Sequence, residues 1–76
     1  MKIEILGTGC PKCNELFNRV KDAVAKSGKF IQIEKIEDPL KIIEYGVTST
    51  PALVVDSEVK SRGTLLSVDE ILEFLN

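Results

Sequence analysis

Cys10-Pro11-Lys12-Cys13 sets two thiols three positions apart, and they are the chain's two cysteines. There is no histidine. Imidazole bases, histidine-dependent triads and histidine metal ligands are therefore excluded, and the chemistry on offer is that of sulfur. Residues three apart in a helical turn stand about 5–6 Å apart at Cβ. A disulfide needs about 3.5–4.5 Å, so a modest adjustment closes the pair. The two thiols can cycle between dithiol and disulfide with little backbone movement.

Position separates their roles. Cys10 is expected at or just before a helix N-terminus, where unpaired N–H groups and the positive end of the macrodipole stabilise a thiolate. Lys12 adds a positive charge nearby. The thiolate is the form that attacks disulfides, which makes Cys10 the nucleophile. Cys13 lies one turn in, shielded by Leu16 and Phe17, and is the natural resolving thiol. The bland alternative for the pair is a structural staple. A loop of four residues gains about 2 kcal/mol from closure, against about 3 for fifteen residues. A staple would join distant segments, and in the cytosol it would be reduced. The bland alternative for Lys12 is a solvated lysine that tunes nothing, although lysine at a helix N-terminus is unfavourable by dipole logic.

These residues need a scaffold. Residues 2–6 alternate Ile3 and Ile5 and read as a strand. Gly7-Thr8-Gly9 breaks it, and a helix from Pro11 to Ser27 follows, with Leu16, Phe17, Val20, Ala23 and Val24 at helical spacing. Pro11 suits a first-turn position and Gly28 the residue past the end. Glu15/Arg19 and Asp22/Lys26 are oriented to support the exposed face. Phe30 to Ile36 reads as a second strand. Asp38 is the N-cap of a short helix over residues 39–45, with Pro39 in its first turn and Gly46 as its stop. Ala52–Val55 is a third strand, Asp56-Ser57 a turn, and Glu58–Arg62 a fourth, charged edge strand that resists pairing with another chain. Ser67-Val68-Asp69-Glu70 is a capping box, flanked by a Leu66/Ile71 staple, and opens the last helix. The order is β-α-β-α-β-β-α. The crossover makes the first two strands parallel, and the tight turn makes the last two antiparallel.

Composition limits the rest. A chain of 76 residues and net charge −2 has room for a single domain, residues 1–76. No basic stripe suggests a nucleic-acid partner, and no apolar run approaches a membrane span. Residues 1–9 lack the basic start and apolar stretch of a signal peptide, so the expected compartment is the cytoplasm, and a monomer is expected. Thr50-Pro51 precedes the apolar third strand. Taken alone, Pro51 is an ordinary trans strand opener, since cis X–Pro bonds make up about 5–6%.

In company, these features say more. Strand, Cys-x-x-Cys, helix, then Thr-Pro before a hairpin: the chain resembles the thioredoxin and glutaredoxin superfamily. It is most similar to the small redox-active disulfide proteins, or small archaeal thioredoxins, of about this length. The resemblance covers essentially the whole chain and rests on Gly7-Thr8-Gly9-Cys10-Pro11-Lys12-Cys13, Thr50-Pro51 and Gly63. It implies an α/β, thioredoxin-like fold with a four-stranded mixed sheet and helices on both faces. It implies a cis Pro51 packed against the cysteines, with the backbone of Thr50 pairing with a bound substrate. It also implies an acid six residues before the first cysteine, here Glu4, as proton acceptor for Cys13. The bland reading of Glu4, a carboxylate pointing to solvent opposite Ile3 and Ile5, is favoured because long acids are seldom fully buried.

The departures narrow the partners. Gly9 stands where thioredoxins carry tryptophan, and Pro11-Lys12 is closer to the glutaredoxin Cys-Pro-Tyr-Cys order. One glycine in Arg62-Gly63-Thr64, where glutaredoxins carry a pair, argues against glutathione. Protein disulfides and a regenerating reductase are the expected partners, with no cofactor. The target would lie across Gly9, Lys12, Thr50 and Pro51, with Gly63 and Thr64 completing the groove. The rival reading is a soft-metal carrier holding Cu(I) between the two thiolates. Small carriers of that kind resemble this chain in its first strand and helix, but they run β-α-β-β-α-β and end on a strand. A structural zinc site would lack ligands. The expectation is a thiol–disulfide oxidoreductase without a metal.

Overall fold

The computed structural model describes residues 1–9 and 11–75. The elements are β1 (Lys2–Leu6), α1 (Pro11–Ser27), β2 (Gln32–Ile36), α2 (Pro39–Glu44), β3 (Ala52–Val55), β4 (Glu58–Arg62) and α3 (Val68–Leu75). The strands form one sheet in the order β2-β1-β3-β4. β1 pairs parallel with β2 and antiparallel with β3, and β3 pairs antiparallel with β4. This is the mixed four-stranded sheet of the expected α/β fold. Among the described residues, no helix is long and apolar enough to cross a membrane.

The sheet buries both faces, and alternation decides which residue goes where. Ile3 and Ile5 of β1 join Leu53 and Val55 of β3 beneath α1 and α3, against Leu16, Val20, Ala23, Ile71 and Leu75. The other face carries Leu6, Ile36, Ala52 and Val54, covered by Ile42 of α2 and by Val47. Helices therefore lie on both faces.

Local chemistry fixes the ends of the elements. Asp38 caps α2, its carboxylate accepting from the Leu40 amide at 3.0 Å. Ser67 and Glu70 form the reciprocal capping box: Ser67 N–H donates to Glu70 Oε1 at 3.0 Å, and Glu70 N–H to Ser67 Oγ at 3.2 Å. Leu66 and Ile71 are both buried in the core beside it. At the far end of α3, the Lys29 ammonium donates to the Leu75 carbonyl. Asp56 and Ser57 both adopt positive φ, 49° and 68°, as a two-residue hairpin loop requires. The Asp56 carboxylate also accepts from the Lys2 amide at 2.8 Å, which ties the hairpin to the start of β1.

Two expected boundaries move. β2 begins at Gln32, not Phe30, because its partner β1 begins at Lys2 and the register pairs Lys2 with Gln32. Phe30 lies beyond the end of β1 and is fully exposed. α2 ends at Glu44, and Tyr45 is its C-cap. On α1, Glu15 and Arg19 pair at 3.1 Å, while among the described residues no ion pair joins Asp22 to Lys26. Arg19 is also held by the Leu66 carbonyl at 3.0 Å, an anchor that the exposed Asp22 and Lys26 lack.

Candidate functional site

The site gathers where β1 hands over to α1. β1 ends at Leu6, and Gly7 extends the sheet by one bond, its amide donating to the Ile36 carbonyl at 3.0 Å. Thr8 and Gly9 turn the chain, and α1 opens on Pro11. A proline there forfeits nothing, because a first-turn N–H has no partner within its helix. The first turn carries no acidic side chain, so no carboxylate offsets the positive end of the helix.

Cys13 is the third residue of α1 and is fully buried. Its sulfur lies over Gly7: a Cβ built on Gly7 would overlap the Cys13 Sγ and stand 3.0 Å from its Cβ. The same point is 3.8 Å from the Thr50 Cβ. Gly7, Cys13 and Thr50 are thus brought together from three separate segments. The Thr50–Pro51 peptide bond is cis, and Pro51 is fully buried. Gly63 joins from the end of β4, its amide donating to the Pro51 carbonyl at 2.8 Å. It has φ +67°, a conformation that favours glycine, and a Cβ there would stand 3.0 Å from the Ser49 Cβ, so any other residue would be strained and would push the 49–51 segment aside.

Of the other expected site residues, Gly9 and Lys12 are exposed at the start of α1. Among the described residues, no ion pair holds Lys12. Thr64 is exposed and donates its hydroxyl to the Arg62 carbonyl at 3.3 Å. Cys10, assigned from the sequence as the nucleophile, lies outside the described residues.

Glu4 overturns the expectation that it points to solvent. It is 8% exposed, and its Oε1 accepts from the Tyr45 hydroxyl at 2.8 Å. The cause is topological. Glu4 shares a face of β1 with Leu6, and α2 covers that face, delivering Tyr45 at its C-cap. The Glu4 hydrogen bond, followed by burial and the carboxylate charge, raises the Tyr45 pKa. The pair opens onto a cleft of about 390 Å³, also lined by Lys2, Glu34, Ile36, Lys41 and Glu44. Lys2 and Glu34 form a 2.9 Å ion pair at its rim. Their hydrogen bond and mutual charge raise the pKa of Lys2 and lower that of Glu34. α1, which carries Cys13, packs on the opposite face of the sheet.

Sequence reasoning missed Gly7 and Tyr45 as site residues. Gly7 carried a signal, a glycine directly after an apolar strand and before the motif. Tyr45 carried none, since its partner is 41 positions away.

Comparison with known proteins agrees with this geometry. The thioredoxin domain family model matches residues 1–76. A thioredoxin of Methanothermobacter thermautotrophicus is 41% identical over 76 residues, covering 100% of this chain and 99% of that protein. A thioredoxin of Methanocaldococcus jannaschii is 42% identical over 73 residues, 96% of this chain and 84% of its own. A probable thioredoxin, again of Methanothermobacter thermautotrophicus, is 34% identical over 70 residues, 88% and 81% respectively.

Proposed function

We propose that this chain, which belongs to the thioredoxin domain family, reduces protein disulfides through a reversible Cys10–Cys13 couple. The observation that carries the reading is the placement of Cys13: a buried thiol in the first turn of α1, its sulfur packed against Gly7. The Cys10 thiolate attacks one sulfur of a target disulfide. A mixed disulfide forms, and the other target sulfur leaves as a thiolate. Cys13, deprotonated, then attacks the Cys10 sulfur and releases the second target thiolate. Two electrons pass to the target, the two target thiolates take up two protons, and Cys10–Cys13 is left oxidised. A disulfide reductase returns the two electrons.

Burial of Cys13 supports the order of events. A thiol with no exposed surface meets bulk disulfides slowly, whereas a cysteine three positions away in the sequence is the partner that the spacing favours. Gly9, Lys12, Thr50, Pro51, Gly63 and Thr64 form the groove that receives the target, with the Thr50 backbone as its pairing edge. Glu4 lies across the sheet from α1 and is held by Tyr45, so the Cys13 proton passes first to solvent, and Glu4 takes part only through it. The cytoplasm, where thiols are kept reduced, is the compartment that suits this activity, and the active unit is a monomer.

The test is a redox titration. Protein equilibrated in graded dithiol buffers and then alkylated should show a single two-electron transition by mass, near roughly −200 to −270 mV. Cys10→Ser should abolish disulfide reduction, and Cys13→Ser should accumulate the mixed disulfide with a target. Wild-type activity in Cys10→Ser, or no reversible intramolecular disulfide, refutes the reading.

A further inference from the structure

Glycine is used in two opposite ways in this chain. Gly9, Gly28 and Gly46 have φ between +69° and +75° and open space where a Cβ would stand. They supply a backbone conformation. Gly7 is the reverse: its φ lies outside the left-handed region, and the place of its Cβ is taken by the Cys13 sulfur. No left-handed φ calls for glycine here. The space in front of it does.

We propose that Gly7 is a positioning residue for the redox pair: the hollow left by its missing side chain is the seat of the Cys13 sulfur. The proposal rests on Cys13 being the resolving thiol. The seat acts in two ways. It buries the sulfur against the backbone just past the end of β1 and so withholds it from bulk reagents. It also fixes the sulfur's direction. The Cys13 χ1 has three staggered wells. A methyl group at position 7 denies the one in use. Disulfide geometry tolerates little displacement, so a sulfur turned out of its seat closes less favourably on Cys10.

Gly7→Ala tests this, because it fills the space at a position whose φ lies outside the left-handed region. In a Cys10→Ser background Cys13 is the remaining thiol. There, Gly7→Ala should raise the iodoacetamide alkylation rate of the folded protein by about tenfold or more. The gain should be flat across low urea concentrations, which separates a displaced sulfur from global opening. With both cysteines present, Gly7→Ala should move the equilibrium with a reference dithiol about tenfold toward the reduced form. A third arm covers a variant that fails to fold. Cys13→Ala removes the sulfur and leaves a 3.0 Å Cβ approach that small shifts relieve, so Gly7→Ala/Cys13→Ala should fold and recover most of the lost stability. An unchanged alkylation rate and equilibrium overturn the proposal, as does a double variant no more stable than Gly7→Ala alone. A wild-type chain that forms no reversible disulfide instead overturns the redox reading itself, while the alkylation arm still judges the seat.

Discussion

Replacing Tyr45 with phenylalanine removes one oxygen and one hydrogen bond, the 2.8 Å donation to the buried Glu4 carboxylate. A hydrogen bond to a charged group contributes about 1.5–3 kcal/mol. Glu4 lines an open cleft, so water replaces part of the lost donor, and the expected cost is about 1–2 kcal/mol at pH 7. In a chain of this size each kcal/mol shifts Tm by about 4–8 °C, so Tm should fall by roughly 5–15 °C. Urea unfolding of the wild type, Tyr45→Phe, Glu4→Gln and the double variant isolates the pair, and a coupling of about 1 kcal/mol is expected. A second readout comes at no extra labelling. Tyr45 is the chain's one tyrosine, and there is no tryptophan, so ultraviolet absorbance titrates it alone. The Glu4 hydrogen bond, with burial and the carboxylate charge behind it, raises its pKa in the folded protein. A pKa above the unfolded value means stabilisation that is whole below about pH 10 and lost as pH rises through the folded value. Glu4→Gln should bring the tyrosine transition back down. A coupling near zero, together with a transition that Glu4→Gln leaves in place, would refute the argument.

Ser67→Ala removes the side-chain half of the capping box and should cost about 1 kcal/mol in urea unfolding. Leu16→Ala empties a fully buried position beneath α1 and should cost about 2–5 kcal/mol, enough to leave much of the chain unfolded by circular dichroism at 37 °C. Asp56→Ala loses the 2.8 Å bond to the Lys2 amide and places alanine at φ 49°, so a loss of about 1–3 kcal/mol is expected. Lys12→Glu puts a negative charge at the start of α1, disfavours the thiolate, and should make the couple more reducing by roughly 10–20 mV in the dithiol titration.

Features written in adjacent residues were legible in the sequence. The Ser67/Glu70 box, the Asp38 cap and the Asp56-Ser57 turn are each specified within four residues, and each stands where it was expected. The strand and helix order followed from apolar periodicity, and the crossover length gave the parallel pair. What stayed hidden depends on distant partners. Glu4 reads as a surface acid until α2 is known to bring Tyr45 over it. Phe30 reads as strand by alternation, but a strand extends only as far as its neighbour, and β1 stops short of it. Gly7 reads as a strand breaker, and the sulfur packed on it becomes visible only when α1 is laid across the sheet.

The sheet order β2-β1-β3-β4 puts β1 in the interior, although of the four strands it is the first to leave the ribosome. Its parallel neighbour follows after one helix, but its other edge stays open until Val55 and its neighbours arrive to pair with Ile3. Leu75, part of the same core as Ile3, arrives later still. Until then β1 offers an apolar face and an unpaired edge, the combination that invites misassembly. The nascent chain thus gains its stability in one late step, and truncations that remove α3 should leave an aggregation-prone sheet instead of a smaller folded protein.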